Sequence, residues 1–163
     1  MFEKSVVFAC GREEYAVPVN QVVSIEKLER ITPIPHLPPY LLGFTRIRGE
    51  LVPVIDFQRI LYNKPSEGDL VRIIVLNTDL VNFGLVVGDA REIIDFDPSV
   101  LMQMGLINYS KTKYFTAVAN LENRMITCVD PSVLVSSLDG IREIVAHLNE
   151  LNTEATTESD VLV

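Results

Sequence analysis

Tryptophan is absent from this chain, and only two histidines and two cysteines occur in its 163 residues. That scarcity removes most familiar chemistry. His36 falls in a proline-rich stretch and His147 on the polar side of an expected helix, so each reads as exposed or structural. Cys10 and Cys128 lack the close spacing of a zinc or thioredoxin-like pair and read as small buried hydrophobes. No GxGxxG, GxxxxGK, GxSxG or HExxH pattern is present. Acid pairs such as Asp95 with Asp97, or Glu13 with Glu14, fall at turns, and without tryptophan or clustered tyrosines no sugar cleft accompanies them. Catalysis, a metal and a cofactor are not expected.

Long apolar runs are missing too. VVFAC, LVPVI and IIVL stop far short of the roughly 20 residues that a spanning helix needs, so no membrane insertion is expected. The start, MFEKSVVFACGREEYAV, runs into charge too early for a secretory signal, which points to the cytoplasm. No lysine- or arginine-rich block exists, and the net charge is −8. Such a surface repels phosphate backbones, which excludes nucleic acid as the expected partner.

What is present is a packed globule: hydrophobic residues make up 48% of the chain. Short apolar runs (SVVFAC, EYAVPV, VVSIEKL, LVPVIDF, LVRIIVLN, NFGLVVGD, REIIDF) alternate with turn residues, the pattern of paired short strands. ITPIPHLPPY, with its four prolines, cannot be a helix or central strand and reads as an ordered connector. Tyr40 to Phe44 has room for one helical turn, Phe44 to Arg48 reads as a strand, and Gly49 with Glu50 as the turn before LVPVIDF. Pro53 implies an edge or bulge position there. Asp56 caps a short helix through Leu61, and Asp97 with Pro98 opens another. YFTAVANLENRMITCVD is a hairpin turning at Glu122 and Asn123. Ile141, Ile144, Val145, Leu148 and Leu151 form the apolar stripe of a docked helix, and residues 152–163 read as an acidic, disordered tail. The polar stretch near Lys64 divides the strands into two groups, and Met102 and Met104 read as core or loop packing.

One cluster is unusual: Arg46 and Arg48 sit two apart on an expected strand, hence on one face, just before a glycine turn. They are either a solvated pair, or Arg48 braces the connector or offers its planar fork to a partner carboxylate.

Taken together, PPYLLGFTRIRGELVPVIDF resembles the signature of the CheW family, adaptors that couple bacterial chemoreceptors to their histidine kinase. Pro39, Tyr40, Gly43, Arg48, Gly49, Pro53, Val54, Ile55 and Asp56 occupy the motif positions. EEYAVPVNQVVSIEKL, GLVVGDAREIIDF and RMITCVD agree in order, so the resemblance covers about residues 4–150. It implies a mainly β fold: two small five-stranded Src-homology-3-like barrels packed together, with short connecting helices and a C-terminal helix. It also implies a groove for the chemoreceptor cytoplasmic tip, at Val22, Gly43, Arg48 and Gly49, and a surface for the histidine kinase regulatory domain, to which no residues are assigned. Arg46 stands where the family has asparagine, Gly88 and Asp89 where many members have aspartate then glycine, and Ala117 where glycine is common. The chain is expected to be a free-standing adaptor. A peptide- or small-ligand-binding barrel of another signalling system is the competing reading.

Overall fold

The computed structural model describes residues 4–27, 31–64, 72–103 and 113–162, with side chains through Thr153. Met104 and part of the polar stretch after Lys64 lie outside them. Eleven strands among the described residues form two sheets. They are β1 (Lys4–Cys10), β2 (Glu13–Pro18), β3 (Val22–Lys27), β4 (Leu41–Ile47), β5 (Glu50–Asp56), β6 (Arg72–Asn77), β7 (Asn82–Val87), β8 (Asp89–Asp95), β9 (Leu101–Gln103), β10 (Phe115–Leu121) and β11 (Arg124–Val129). The fold is mainly β, as expected.

One sheet has the order β8-β1-β2-β11-β10-β9 and the other β3-β6-β7-β5-β4. The first therefore has six strands rather than five, because Leu101–Gln103 adds a short edge strand beside β10. The expected division near Lys64 is also corrected. Residues 22–87 build the five-stranded barrel, which is inserted between β2 and β8 of the other. Parallel pairings between β2 and β11, and between β5 and β7, tie sequence-distant strands together in each barrel.

Why the strands read as continuous apolar runs follows from burial on both faces. In β1, Val6, Phe8 and Cys10 join the large core shared by the barrels, while Val7 points into its own barrel with Ala16, Phe96, Ala119 and Ile126. In the inserted barrel, Ile74, Leu76, Phe83 and Leu85 face the shared core, and Val54, Ile73, Val75 and Val86 fill the small interior.

Local signals behave as their chemistry dictates. Asp56 accepts from the Gln58 and Arg59 amides and starts α1 (Phe57–Tyr62), which ends at Asn63 in the left-handed region. Asp97 opens only a 3-10 turn, Pro98–Val100. Asp130 caps a helix absent from the sequence reading, α2 (Pro131–Ser136). The terminal helix α3 (Ile141–Leu162) buries Ile141, Val145 and Leu148, with Ile144 only half-buried. Its backbone runs through the residues expected to be a disordered tail; side chains beyond Thr153 lie outside the described part.

Pro53 sits opposite Phe44 on a strand paired on both sides, yet the parallel ladder to β7 begins only at Val54. The missing donor is therefore harmless. No helical turn precedes β4; the strand starts directly at Leu41. The connector is stitched to it by Thr32 N–H to the Phe44 carbonyl, 2.8 Å, and the reverse bond, 3.0 Å.

Candidate protein-docking seam

Directly opposed residues in an antiparallel pair project to the same side of a sheet. Val22 pairs with Leu76 and Ile25 with Ile74, so both β3 residues lie on the face of the shared core. Across the seam, Ile93 pairs with Val6 and Ala90 with Phe8, which places these β8 residues on the matching face. The sheets meet with β8 against β6 and β1 against β7, so β3 overhangs the edge of the other barrel. The shared core is thus left open along one side. Ile25 is 43% exposed and Ile93 61% exposed although both point the way the core points. The result is an apolar groove with β3 as floor and β8 as wall.

Of the residues expected at the receptor groove, Val22 belongs to this floor, half-buried against the shared core. Arg48 and Gly49 stand elsewhere on the barrel. Ile47 pairs with Glu50, leaving Arg48 and Gly49 as a two-residue hairpin loop with φ of 52° and 82°. Arg48 is therefore in the turn, not on the strand, and does not share a strand face with Arg46. It is Arg46 that braces the loop, donating from Nη1 to the Gly49 carbonyl at 3.0 Å. Val22 pairs with Leu76 and Leu76 with Phe83, one residue before the Gly84–Val54 pair that joins β7 to β5, so Val22 and the turn occupy the same end of the inserted barrel. The curl of the sheet brings Val23 and Ile47, their neighbours, onto one small core.

Gly43 plays a different part. It is buried with φ of 148°, and a Cβ there would drive into the Thr32 carbonyl. It lets the connector close onto β4 and offers no contact surface.

Ile25 and Ile93 were not visible in the sequence as surface residues. Both sit in apolar strand patterns that predict burial, and only strand order shows that their strands are edges. Met102, expected in packing, is 53% exposed and shares the outer face of β9–β11 with Met125, 59% exposed.

Burial disfavours the thiolate form of both cysteines. Burial, aided by the Asp56 charge, pushes the Cys10 thiol up to about 12, and burial pushes Cys128 up to about 11. Among the described residues no group of His, Cys, Asp or Glu could hold a metal, and no helix is long and apolar enough to cross a membrane.

Two curled sheets that share one core and leave an apolar lip along their seam define a double-barrel β domain. The chain belongs to the family of the CheW-like domain, whose model matches residues 4–139. It is 30% identical over 136 residues to "Chemotaxis protein CheW" of Bacillus subtilis (strain 168), covering 82% of this chain and 86% of that protein. It is 27% identical over 137 residues to "Chemotaxis protein CheW" of Klebsiella aerogenes, covering 83% and 82%. The crystal structure of the scaffolding protein TtCheW from Thermoanaerobacter tengcongensis superposes with a TM-score of 0.74 at 26% identity, covering 86% of this chain and 91% of that one.

Proposed function

We propose that this chain is a non-catalytic cytoplasmic adaptor of bacterial chemotaxis, coupling the cytoplasmic tip of chemoreceptors to the regulatory domain of a histidine kinase. The observation that carries this reading is the open seam, where Ile25 and Ile93 are exposed on the core-facing sides of two edge strands. An apolar trough between strands takes the side chains of a partner helix at i, i+3, i+4 and i+7 spacing. Relatives named as chemotaxis proteins support the chemotaxis setting of this reading.

Arg48 at the end of the same barrel fits a polar anchor beside that trough. A two-residue loop with both φ values positive favours Asn-Gly, and an arginine at such a position costs about 1 kcal/mol of backbone strain. A residue held against its own preference in an exposed turn is better explained by a partner than by the fold.

The test is capture by a receptor cytoplasmic fragment, run beside melting curves for Ile25→Asp, Ile93→Asp and Arg48→Glu. Because all three positions are exposed, melting should shift by only a few degrees while capture falls about tenfold or more. Full capture by all three variants would refute the seam as the receptor site.

A further inference from the structure

A second concavity lies at the other end of β5 from the Arg48–Gly49 turn. It is a groove of about 310 Å³ walled by the end of the connector (Pro38, Pro39, Tyr40), by α1 (Arg59, Ile60, Asn63) and by the α2–α3 link (Ser137 to Asp139). Three separate chain segments converge there. The Asp56 amide bonds the Tyr40 carbonyl at 2.9 Å, and the Tyr40 hydroxyl donates to the Asp139 carbonyl at 2.6 Å, so the walls are rigidly joined.

Arg59 is the exception to this good order. Among the described residues its buried Nε has no hydrogen-bond partner, and its Nη1 reaches only the Asn63 carbonyl at 3.5 Å, the limit of a useful bond. A guanidinium has five donors in a rigid fork, and an orphaned buried donor costs about 1–3 kcal/mol. Such orphaned donors are rare in natural folds, and one beside an open groove can gain its acceptor from a ligand that draws the head outward. Apolar walls from Pro38, Ile60 and Leu138 would strengthen any charge-assisted bond formed there.

The opposite wall decides what can bind. Asp139 and Glu143 lie close enough to help burial raise the Tyr40 hydroxyl to about 12. A polyanion would meet these carboxylates as well as Arg59, whereas one carboxylate on a short stem would meet Arg59 alone. We propose that this groove is a carboxylate-binding site, in which the Arg59 fork takes both oxygens of a single carboxylate while its stem packs on Pro38, Ile60 and Leu138. Binding turns the Arg59 head from the Asn63 carbonyl to the ligand, and no bond is made or broken.

The test is nitrogen-edited NMR of the Arg59 Nε–H signal, assigned by its loss in Arg59→Gln. The intact protein is titrated with succinate, with the N-acetyl N-methylamide of glutamate, and with inorganic phosphate. A saturable shift with a carboxylate, at least about tenfold weaker with phosphate, is the expected result; in Arg59→Lys, which keeps the charge and loses the fork, carboxylate binding followed through the backbone amide signals of Ile60 and Leu138 should be at least about tenfold weaker. Response to the glutamate probe alone identifies a polypeptide side chain as the ligand, and response to succinate alone a free organic acid; each supports the site. An Arg59 signal unmoved by both carboxylates at about 50 mM, or moved as strongly by phosphate, overturns it. Melting curves of both variants separate lost binding from lost fold.

Discussion

The side chain of Asn152 finishes the hydrogen bonding of Leu51. The Leu51 amide donates to Asn152 Oδ1 at 2.9 Å, and Asn152 Nδ2 donates back to the Leu51 carbonyl at 3.2 Å. In an antiparallel pair the peptide groups of alternate residues point away from the partner strand. Leu51, opposite Arg46, points away from β4, and the parallel ladder to β7 begins only three residues later at Val54. The carboxamide thus acts as a substitute strand residue, offering one acceptor and one donor where β7 offers none.

Ending the chain after Leu151 should consequently cost about 1–2 kcal/mol and lower the melting temperature by several degrees, whereas ending it after Thr153 should change little. Asn152 thus lies at the start of the stretch expected to be a disordered tail and is bonded to β5. Asn152→Asp, which keeps the acceptor and loses the donor, should behave like the shorter truncation. Equal melting of both truncations would show the clamp to be without weight.

Gly43→Ala should be among the most damaging single changes. Its φ of 148° disfavours any side chain, and the new Cβ would strike the Thr32 carbonyl. Two backbone bonds to Phe44 hold that carbonyl in place, so neither side can yield. A loss of about 3 kcal/mol or more in denaturant melts is expected, with early proteolysis at the connector. Gly49→Ala is the control: nothing lies within 4 Å of its added Cβ, so only the cost of a φ of 82° remains, about 1 kcal/mol.

Much of the fold was legible because it rests on local chemistry. The Asp56 cap, the turn at Glu122 and Asn123, and the apolar stripe of Ile141, Val145 and Leu148 each depend on a few neighbouring residues. What strand periodicity does not encode is which strand lies beside which. Both parallel pairings join strands far apart in the chain, so the insertion of one barrel into the other was invisible, and with it the edge status of β3 and β8 that exposes Ile25 and Ile93. Placing the hairpin loop one residue late, at Gly49 and Glu50, was enough to put Arg48 on a strand face that it does not occupy. The CheW-like motif singled out Gly43 as a groove position, and nothing in its residue types reveals that this glycine is a spacer under Thr32.

Acid should weaken a charge cluster at the mouth of the six-stranded barrel. Glu14 receives a two-pronged bond from Arg124, 3.0 Å from Nε and 2.8 Å from Nη2, and Arg124 also reaches Glu92 at 2.7 Å. The Arg124 bond holds the Glu14 carboxyl below its ordinary 4.5, outweighing a desolvation that pushes the other way. A carboxylate whose folded pKa is depressed adds stability that is fully present above its unfolded pKa and is lost as pH falls through the folded one. Glu14→Gln should accordingly cost about 1–3 kcal/mol at pH 7, progressively less as pH falls through the folded value, and nearly nothing once the folded and unfolded forms are both protonated. A gap that persists unchanged in strong acid would mean that packing, not charge, is what the glutamine disturbs.

Arg48→Asn separates fold from function most sharply. The loop between Ile47 and Glu50 has both φ values positive, and Asn-Gly suits that geometry where Arg-Gly does not. The substitution removes backbone strain, while the brace from Arg46 to the Gly49 carbonyl stays in place. Stability should rise by about 0.5–1 kcal/mol, seen as a small increase in melting temperature. If Arg48 anchors a receptor helix through its fork, the same change should weaken capture of a receptor cytoplasmic fragment by about 1–3 kcal/mol, because asparagine is too short to reach a partner carboxylate or helix-end carbonyl. A mutant that is more stable and binds less well would establish that the arginine is retained for a partner at the expense of the turn. A mutant that melts higher and binds as before would leave the seam residues Ile25 and Ile93 to carry recognition alone. A mutant that melts lower would show that Arg48 supports the fold, and the docking role would have to be withdrawn.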